Sequence, residues 1–317
     1  MCPMELTSPL DALRSRFVQG DVLALSRLIS WVENHRGGYE ALLDSLFERT
    51  GNALRVGITG PPGAGKSTLV NHLAGAFRKR GQTVGILACD PSSPFSGGAL
   101  LGDRVRMSAV SDDPGVFIRS LASRDALGGL SSTTNEVALL CEAYGFDVIL
   151  LETVGVGQAE VDVMHSADTV VVTLVPQSGD VVQAMKAGLM EIADVFCLNK
   201  SDQPGADLLE HSLRQLLSLS MRDWTPPIVS TVAVQGKGVG ALRAAVLDHE
   251  AFLGVAGQAQ RQQQRLTSML KENAEARWRR AAWNAEGQAL LTRLARDVAQ
   301  KKRAPFEAVG CLVEALG

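Results

Sequence analysis

Gly60-Pro-Pro-Gly-Ala-Gly-Lys-Ser67 is the strongest chemical signal in the chain. It satisfies G-x-x-x-x-G-K-[ST], the spacing in which a glycine-rich turn surrounds phosphate oxygens with backbone N–H groups and a helix N-terminus adds positive potential. Gly60, Pro61, Pro62, Gly63, Ala64 and Gly65 are then the cradle, Lys66 reaches the β/γ oxygens, and Ser67 offers a hydroxyl to magnesium, with Thr68 next in the same helical turn. A glycine-rich turn without a ligand is the alternative. The four fixed positions match by chance in a chain of this size about 1% of the time, before any strand or helix context is required.

Magnesium takes hard oxygen ligands, and two carboxylates follow apolar runs: Asp90 after Ile86-Leu-Ala-Cys89, and Glu152 after Asp147-Val-Ile-Leu-Leu151. Both are expected to reach the metal directly or through water, although an acid at a strand end also commonly caps a following helix. Glu152-Thr-Val-Gly155 reads as D-x-x-G with Glu for Asp, and Gly155 is free to bring its N–H to the γ-phosphate. Asn199-Lys-Ser-Asp202 matches N-K-x-D, with Asn199 and Lys200 leading to a carboxylate at Asp202. Such a carboxylate accepts from the N1–H and exocyclic amine of guanine, a donor pair that adenine lacks. The same four residues are also ordinary turn chemistry, but their order and the apolar run before them favour the base site, so the nucleotide is read as GTP.

These residues need a frame. Apolar β-branched runs at 54–59, 83–88, 147–151, 169–175, 195–198 and 228–234 alternate with segments of helical period. That alternation predicts an α/β fold, a mostly parallel sheet flanked by helices of the P-loop NTPase kind, whose ligands bind beyond the carboxyl ends of the strands. Three regions are expected: an N-terminal helical segment over 1–50, the nucleotide-binding domain over 51–250, and a C-terminal helical arm over 251–317. The arm is rich in Gln, Arg, Ala and Leu, as in Arg277-Trp-Arg-Arg280.

A formal charge of −3 gives no global pull toward nucleic acid or an anionic membrane. No apolar run approaches the roughly 20 residues of a membrane span, and Met1-Cys-Pro-Met-Glu5 lacks a secretory pattern, so a cytoplasmic location is expected. Cys2, Cys89, Cys141, Cys197 and Cys311 are odd in number and far apart, which reads as reduced side chains.

Between the nucleotide motifs lie Asp90-Pro-Ser-Ser-Pro-Phe-Ser-Gly-Gly-Ala-Leu-Leu-Gly-Asp-Arg-Val-Arg-Met107, Phe117-Ile-Arg-Ser120, Ser123-Arg-Asp-Ala-Leu-Gly-Gly129, Glu152-Thr-Val-Gly-Val-Gly-Gln-Ala-Glu160 and Met190-Glu-Ile-Ala-Asp194. Over roughly residues 40 to 250 the chain resembles the MeaB/ArgK family of GTPases, whose animal members are called MMAA. The resemblance implies a GTPase chaperone of adenosylcobalamin-dependent methylmalonyl-CoA mutase or a related acyl-CoA mutase, gating cofactor loading and protecting or reactivating that enzyme. It assigns magnesium to Ser67, Asp90, Asp103 and Glu152, puts Arg106 near the phosphates, and places Asp103 and Arg106 on a mobile first switch. The residues themselves agree, since a Gly-, Ser- and Pro-rich segment holding both charges suits a loop that orders only around the metal and γ-phosphate; a plain surface loop is the alternative.

Val175-Pro-Gln-Ser-Gly-Asp180 and the helical run to Lys186 resemble the family's third switch, where Lys186 would stabilise transition-state charge. Most helix lysines are simply solvated. Gln158 invites assignment as the water-positioning residue, yet it is not adjacent to Gly155. The guanine-supporting loop departs from the family's Ser-Ala-x and reads Thr231 followed by Val232, Ala233 and Val234, leaving backbone N–H groups to reach guanine O6.

Hydrolysis of GTP to GDP and phosphate then rests on magnesium, Lys66, Glu152, Asp103 and backbone N–H groups, with slow intrinsic turnover because no arginine finger is evident. The arm, with Trp278, Trp283 and Leu290 among arginines, suits a homodimer contact or a basic solvated face of one subunit. Two other functions fit the fold: a small-molecule kinase or ATPase linked to arginine/ornithine transport, and a metal-delivery GTPase. The guanine motif argues against the first, and the second should carry a Cys/His motif near the switches.

Overall fold

A computed structural model describes residues 8–90, 110, 112–122, 132–153, 166–176, 188–219 and 222–316. Among the described residues seven strands form one sheet: β1 (Leu54–Thr59), β2 (Val84–Asp90), β3 (Val116–Ala122), β4 (Val148–Thr153), β5 (Thr169–Leu174), β6 (Val195–Leu198) and β7 (Ile228–Ser230). Their order is β3-β2-β4-β1-β5-β6-β7, and every pairing is parallel. β1 lies between β4 and β5, so the carboxyl ends of these three strands border the crevice where such sheets take ligands.

Helices cover both faces, which is why β1, β4, β5 and β6 are buried throughout. On one face Val56 and Ile58 of β1 meet Leu69, Val70, Leu73 and Phe77 of a helix that follows β1, α4 (Lys66–Arg78). On the other, Ile149 and Leu151 of β4 share a core with the N-terminal helices α1 (Ser8–Val18), α2 (Val22–Glu33) and α3 (Tyr39–Leu46) and with α5 (Ser132–Tyr144), α6 (Leu189–Ile192) and α7 (Ala206–Leu217). α2 shows how sequence dictates this packing. Asp21 caps it by accepting from the N–H groups of Leu23 and Ala24, and Ala24, Leu25, Leu28, Ile29 and Val32 form its buried stripe.

Two strands differ from the periodicity. β3 is an additional edge strand whose apolar run is interrupted by Arg119 and Ser120, and Arg119 pairs with Glu33 and Ser30 of α2. β7 is shorter than expected, because after Ser230 the chain turns into a 3-10 segment, Ala233–Gln235, although Thr231 N–H still bonds the Leu198 carbonyl at 2.8 Å.

The chain forms two compact units, Met1–Arg265 and Leu266–Gly317. A helical run, α8 (Val239–Ala282), is broken at Gly254, whose φ of 55° and ψ of −171° suit only glycine. Within the first unit, buried carboxylates at the amino ends of β5 and β6 hold the part of α8 that follows the break. Asp194 accepts from Val170 N–H at 2.8 Å and from Arg261 at 3.0 Å, and Asp168 accepts from Arg55 N–H at 2.9 Å and pairs with Arg265. Beside them Arg55 and Glu142, both almost wholly buried, form a 2.6 Å ion pair, and Glu142 also accepts from Gly51 N–H at 2.8 Å. The second unit contains α9 (Ala285–Ala299), capped by Asn284, and α10 (Pro305–Leu316).

His249 joins this network. Its Nδ1 is 2.8 Å from the Thr169 hydroxyl, its Nε2 is 3.3 Å from Asp194, and the Trp224 ring lies tilted against it with centroids 5.1 Å apart. Burial holds its pKa below the ordinary 6.5; Asp194 works against that shift and Arg261 with it. A depressed imidazole pKa means that the unfolded chain takes up a proton first as pH falls below 6.5, so stability present above that pH is lost on acidification toward the folded value. The thermal midpoint should therefore drop between pH 7.5 and 5.5 by more in the parent protein than in His249→Gln, as read by calorimetry; parallel pH profiles would remove His249 as the cause.

The thiols of Cys89, Cys141 and Cys197 are buried and free, and burial pushes each up to about 12, which keeps them protonated. Cys311 is also free, and Cys2 lies outside the described residues. No helix among the described residues is long and apolar enough to cross a membrane.

Candidate nucleotide site

The loop between β1 and α4 is shaped by backbone that only glycine adopts readily. Gly60, Gly63 and Gly65 have φ of 136°, 77° and 86°. Gly60 also has no room for a side chain: a Cβ there would lie 2.1 Å from the Thr173 carbonyl oxygen of β5. Gly65 is pinned similarly, its Cβ position 2.5 Å from Asn199 Nδ2. The loop thus rests directly on β5 and on the start of the guanine motif.

Lys66, Ser67 and Thr68 form the first turn of α4. Lys66 is buried, and its ammonium donates to the carbonyls of Gly60 at 2.7 Å and Pro61 at 3.0 Å, so it is curled back over the loop where phosphate oxygens would lie. Ser67 Oγ lies 2.5 Å from Glu152 Oε1, and Glu152 is itself 7% exposed. A hydroxyl and a carboxylate in contact at the amino end of a helix bring two hard oxygen donors together, the donor chemistry that a magnesium ion takes. The residues present fit that ion.

Asn199 connects phosphate and base sides. Its Nδ2 donates to the Ala64 carbonyl at 2.7 Å, while its Oδ1 accepts from the Thr231 hydroxyl at 3.1 Å and Ala233 N–H at 3.0 Å. Lys200 takes a left-handed φ of 55°, and Ser201 N–H bonds the Thr231 carbonyl at 3.0 Å, turning the motif so that Asp202 is exposed at the edge. Cys197 Sγ lies 3.2 Å behind the Thr231 hydroxyl. Val232 and Ala233 are buried, whereas Val234 is 78% exposed. Ala233 N–H is engaged by Asn199, so this amide braces the loop.

Of the residues singled out from sequence, Gly60 through Thr68, Glu152, Asn199, Lys200, Asp202 and Val232 through Val234 lie on loops, a strand end, the first turn of α4 and the 3-10 segment at the carboxyl edge of the sheet. Asp90 is the last residue of β2, in register with Ala122 of β3. Asp103, Arg106, Gly155, Gln158 and Lys186 lie outside the described residues. Sequence reading did not single out three hydroxyls here: Thr231, and the pair Thr59 and Thr153, whose hydroxyls are 3.0 Å apart. Their signal was threonine at positions where buried strands otherwise carry valine, isoleucine or leucine.

A parallel sheet with a phosphate-binding loop after its central strand, tied through Asn199 to a guanine-recognition turn, defines a P-loop GTPase. The chain belongs to the MeaB family: the family described as methylmalonyl Co-A mutase-associated GTPase MeaB matches residues 25–287. Among relatives, a Pyrococcus horikoshii protein provisionally named a GTPase is 49% identical over 83% of this chain and 85% of its own length. GTPase ArgK of Escherichia coli is 36% identical over 82% of each chain, and the mitochondrial methylmalonic aciduria type A homolog of Mus musculus is 37% identical over 72% of this chain and 60% of its own. The crystal structure of a protein named LAO/AO transport system kinase superposes with a TM-score of 0.72 at 28% identity, covering 98% of this chain and 99% of the other. As a member of this family the protein hydrolyses GTP to GDP and phosphate.

Proposed function

We infer that the protein uses GTP hydrolysis to chaperone an adenosylcobalamin-dependent acyl-CoA mutase of the methylmalonyl-CoA mutase type, gating cofactor loading and protecting or reactivating that enzyme. The observation that carries the reading is the contact between Ser67 and Glu152, which ties the phosphate loop to the strand end from which Thr153, Val154 and Gly155 continue. Occupancy of the phosphate site is thereby coupled to the root of a switch segment. The family description names a mutase, and the murine relative carries the name of a methylmalonic aciduria, which supports that class of partner.

Ser67, Asp90, Asp103 and Glu152 would hold magnesium, which when bound neutralises phosphate charge. Around it Lys66 and the N–H groups of residues 60–67 bind and orient the triphosphate, and Asp202 holds guanine. Arg106 and Gly155 would approach the phosphates, and Lys186 would add charge stabilisation when the third switch closes. The location is read as cytoplasmic.

The 1–50, 51–250 and 251–317 division is retained as a functional one, with the last segment as a homodimer arm. On α10, Phe306, Val309 and Val313 recur at helical spacing and are 89%, 53% and 60% exposed, the apolar stripe that a second copy would cover.

The test is retention of a purified cobalamin-dependent mutase on the immobilised protein with GDP and with a non-hydrolysable GTP analogue, coupled to phosphate release. Nucleotide-dependent binding and faster hydrolysis are expected; no binding and no stimulation in either state would overturn the chaperone reading while leaving the GTPase intact. The structural relative is named for a transport system, which favours one rival, a transport-linked kinase. Phosphate release that depends on added arginine, with phosphoryl transfer to it, would select that rival.

A further inference from the structure

We propose that Thr153 is a positioning residue for GTP hydrolysis, its hydroxyl anchoring the end of β4 to the base of the phosphate loop so that Glu152 is held toward Ser67. Thr153 Oγ1 donates to Thr59 Oγ1 at 3.0 Å, and both side chains are fully buried. Ile58 and Glu152 form the last backbone rung between β1 and β4, and the two hydroxyls supply the next one through side chains. They do so on the sheet face away from α4: Thr59 is in register with Val172 of β5, and Thr153 follows Leu151 by one alternation, both of them members of the opposite core.

The geometry joins two contacts from consecutive residues. Glu152 reaches Ser67 on the α4 face, and Thr153 reaches Thr59 on the other. Thr59 immediately precedes Gly60, and Ser67 closes the same loop. The terminal dipeptide of β4 therefore grips the phosphate loop at both ends, and a rotation of the strand end that turned the carboxylate from Ser67 would have to break the hydroxyl bond behind it. Valine has the shape of threonine and would fill the same space in an apolar core, so the hydroxyl's contribution is the bond and not the packing. The inference rests on reading Glu152 as a carboxylate of the magnesium site.

Thr153→Val, Thr153→Ser and Glu152→Gln are to be compared with the parent by steady-state GTP hydrolysis across a magnesium titration. Thr153→Val should lower kcat about tenfold, the equivalent of one modest hydrogen bond lost at the transition state. It should also raise the magnesium concentration for half-maximal rate, and likewise for half-maximal binding of a non-hydrolysable GTP analogue in calorimetry, while KM for GTP stays within about twofold. Thr153→Ser, which keeps the hydroxyl, should restore both. Parent-like kcat and magnesium dependence in Thr153→Val overturns the proposal, as does equal impairment in Thr153→Ser, which would make the methyl group responsible. If Thr153→Val fails to fold, the Thr59→Val/Thr153→Val double variant, with neither hydroxyl left unpaired, replaces it; a persistent kcat loss supports positioning, and full recovery overturns it. Glu152→Gln separates the two readings: unchanged magnesium dependence there refutes the role of Glu152, whereas a shift there without one in Thr153→Val refutes the positioning role alone.

Discussion

Replacing Lys66 with alanine should reduce single-turnover GTP hydrolysis about 10²- to 10³-fold, the cost of removing one preorganised charge from a phosphoryl-transfer site. The side chain is nearly sealed from solvent, and its ammonium is fixed by the Gly60 and Pro61 carbonyls, so its direction is set by the loop before any triphosphate shares it. Lys66→Arg should not rescue the rate: a planar guanidinium fork does not reproduce a compact ammonium that donates to the Gly60 and Pro61 carbonyls at 2.7 and 3.0 Å. Rapid-mixing phosphate release checks both variants. A Lys66→Ala rate within about threefold of the parent would remove the lysine from the reaction.

Asp202→Ala should weaken GDP binding about 10²- to 10⁴-fold, because two hydrogen bonds from guanine to a carboxylate are lost together. Asp202→Asn should lose a comparable share, since its amide presents N–H groups to the donors of the base at one of the two contacts. Binding of ADP should be weak throughout and unaffected by either change, as adenine lacks the donor pair that the carboxylate reads. Asp202 is exposed and Asn199, not Asp202, braces the loops, so the thermal midpoint should move little. Titration calorimetry with GDP and ADP is the measurement; undiminished GDP affinity in Asp202→Ala would mean that guanine is held elsewhere.

Much of the fold was legible because parallel strands covered on both faces must be continuously apolar, and five of the seven announced themselves that way over nearly their observed bounds. β3 did not, because an edge strand tolerates Arg119 when Glu33 and Ser30 of a helix distant in sequence neutralise it. β7 ends sooner than its periodicity suggests: Thr231 through Val234 are as β-prone as the strand itself, but the bonds of the Thr231 hydroxyl and Ala233 N–H to Asn199, with the Val232–Lys237 bridge, turn the chain away.

The nucleotide motifs themselves came from the order of residues alone. Local chemistry suffices there: glycines at positive φ, a lysine and a serine opening a helix, and a carboxylate in a turn are required by the ligand wherever the loop sits. The bonds among these motifs could not be read in advance. That Asn199 reaches Ala64, that Glu152 touches Ser67, and that Thr153 meets Thr59 depend on β1 lying between β4 and β5, a non-local pairing no short segment encodes. Sequence thus determined which chemical groups are available, and the order of the strands decided which of them meet, because contacts across a parallel sheet are made by residues far apart in the chain.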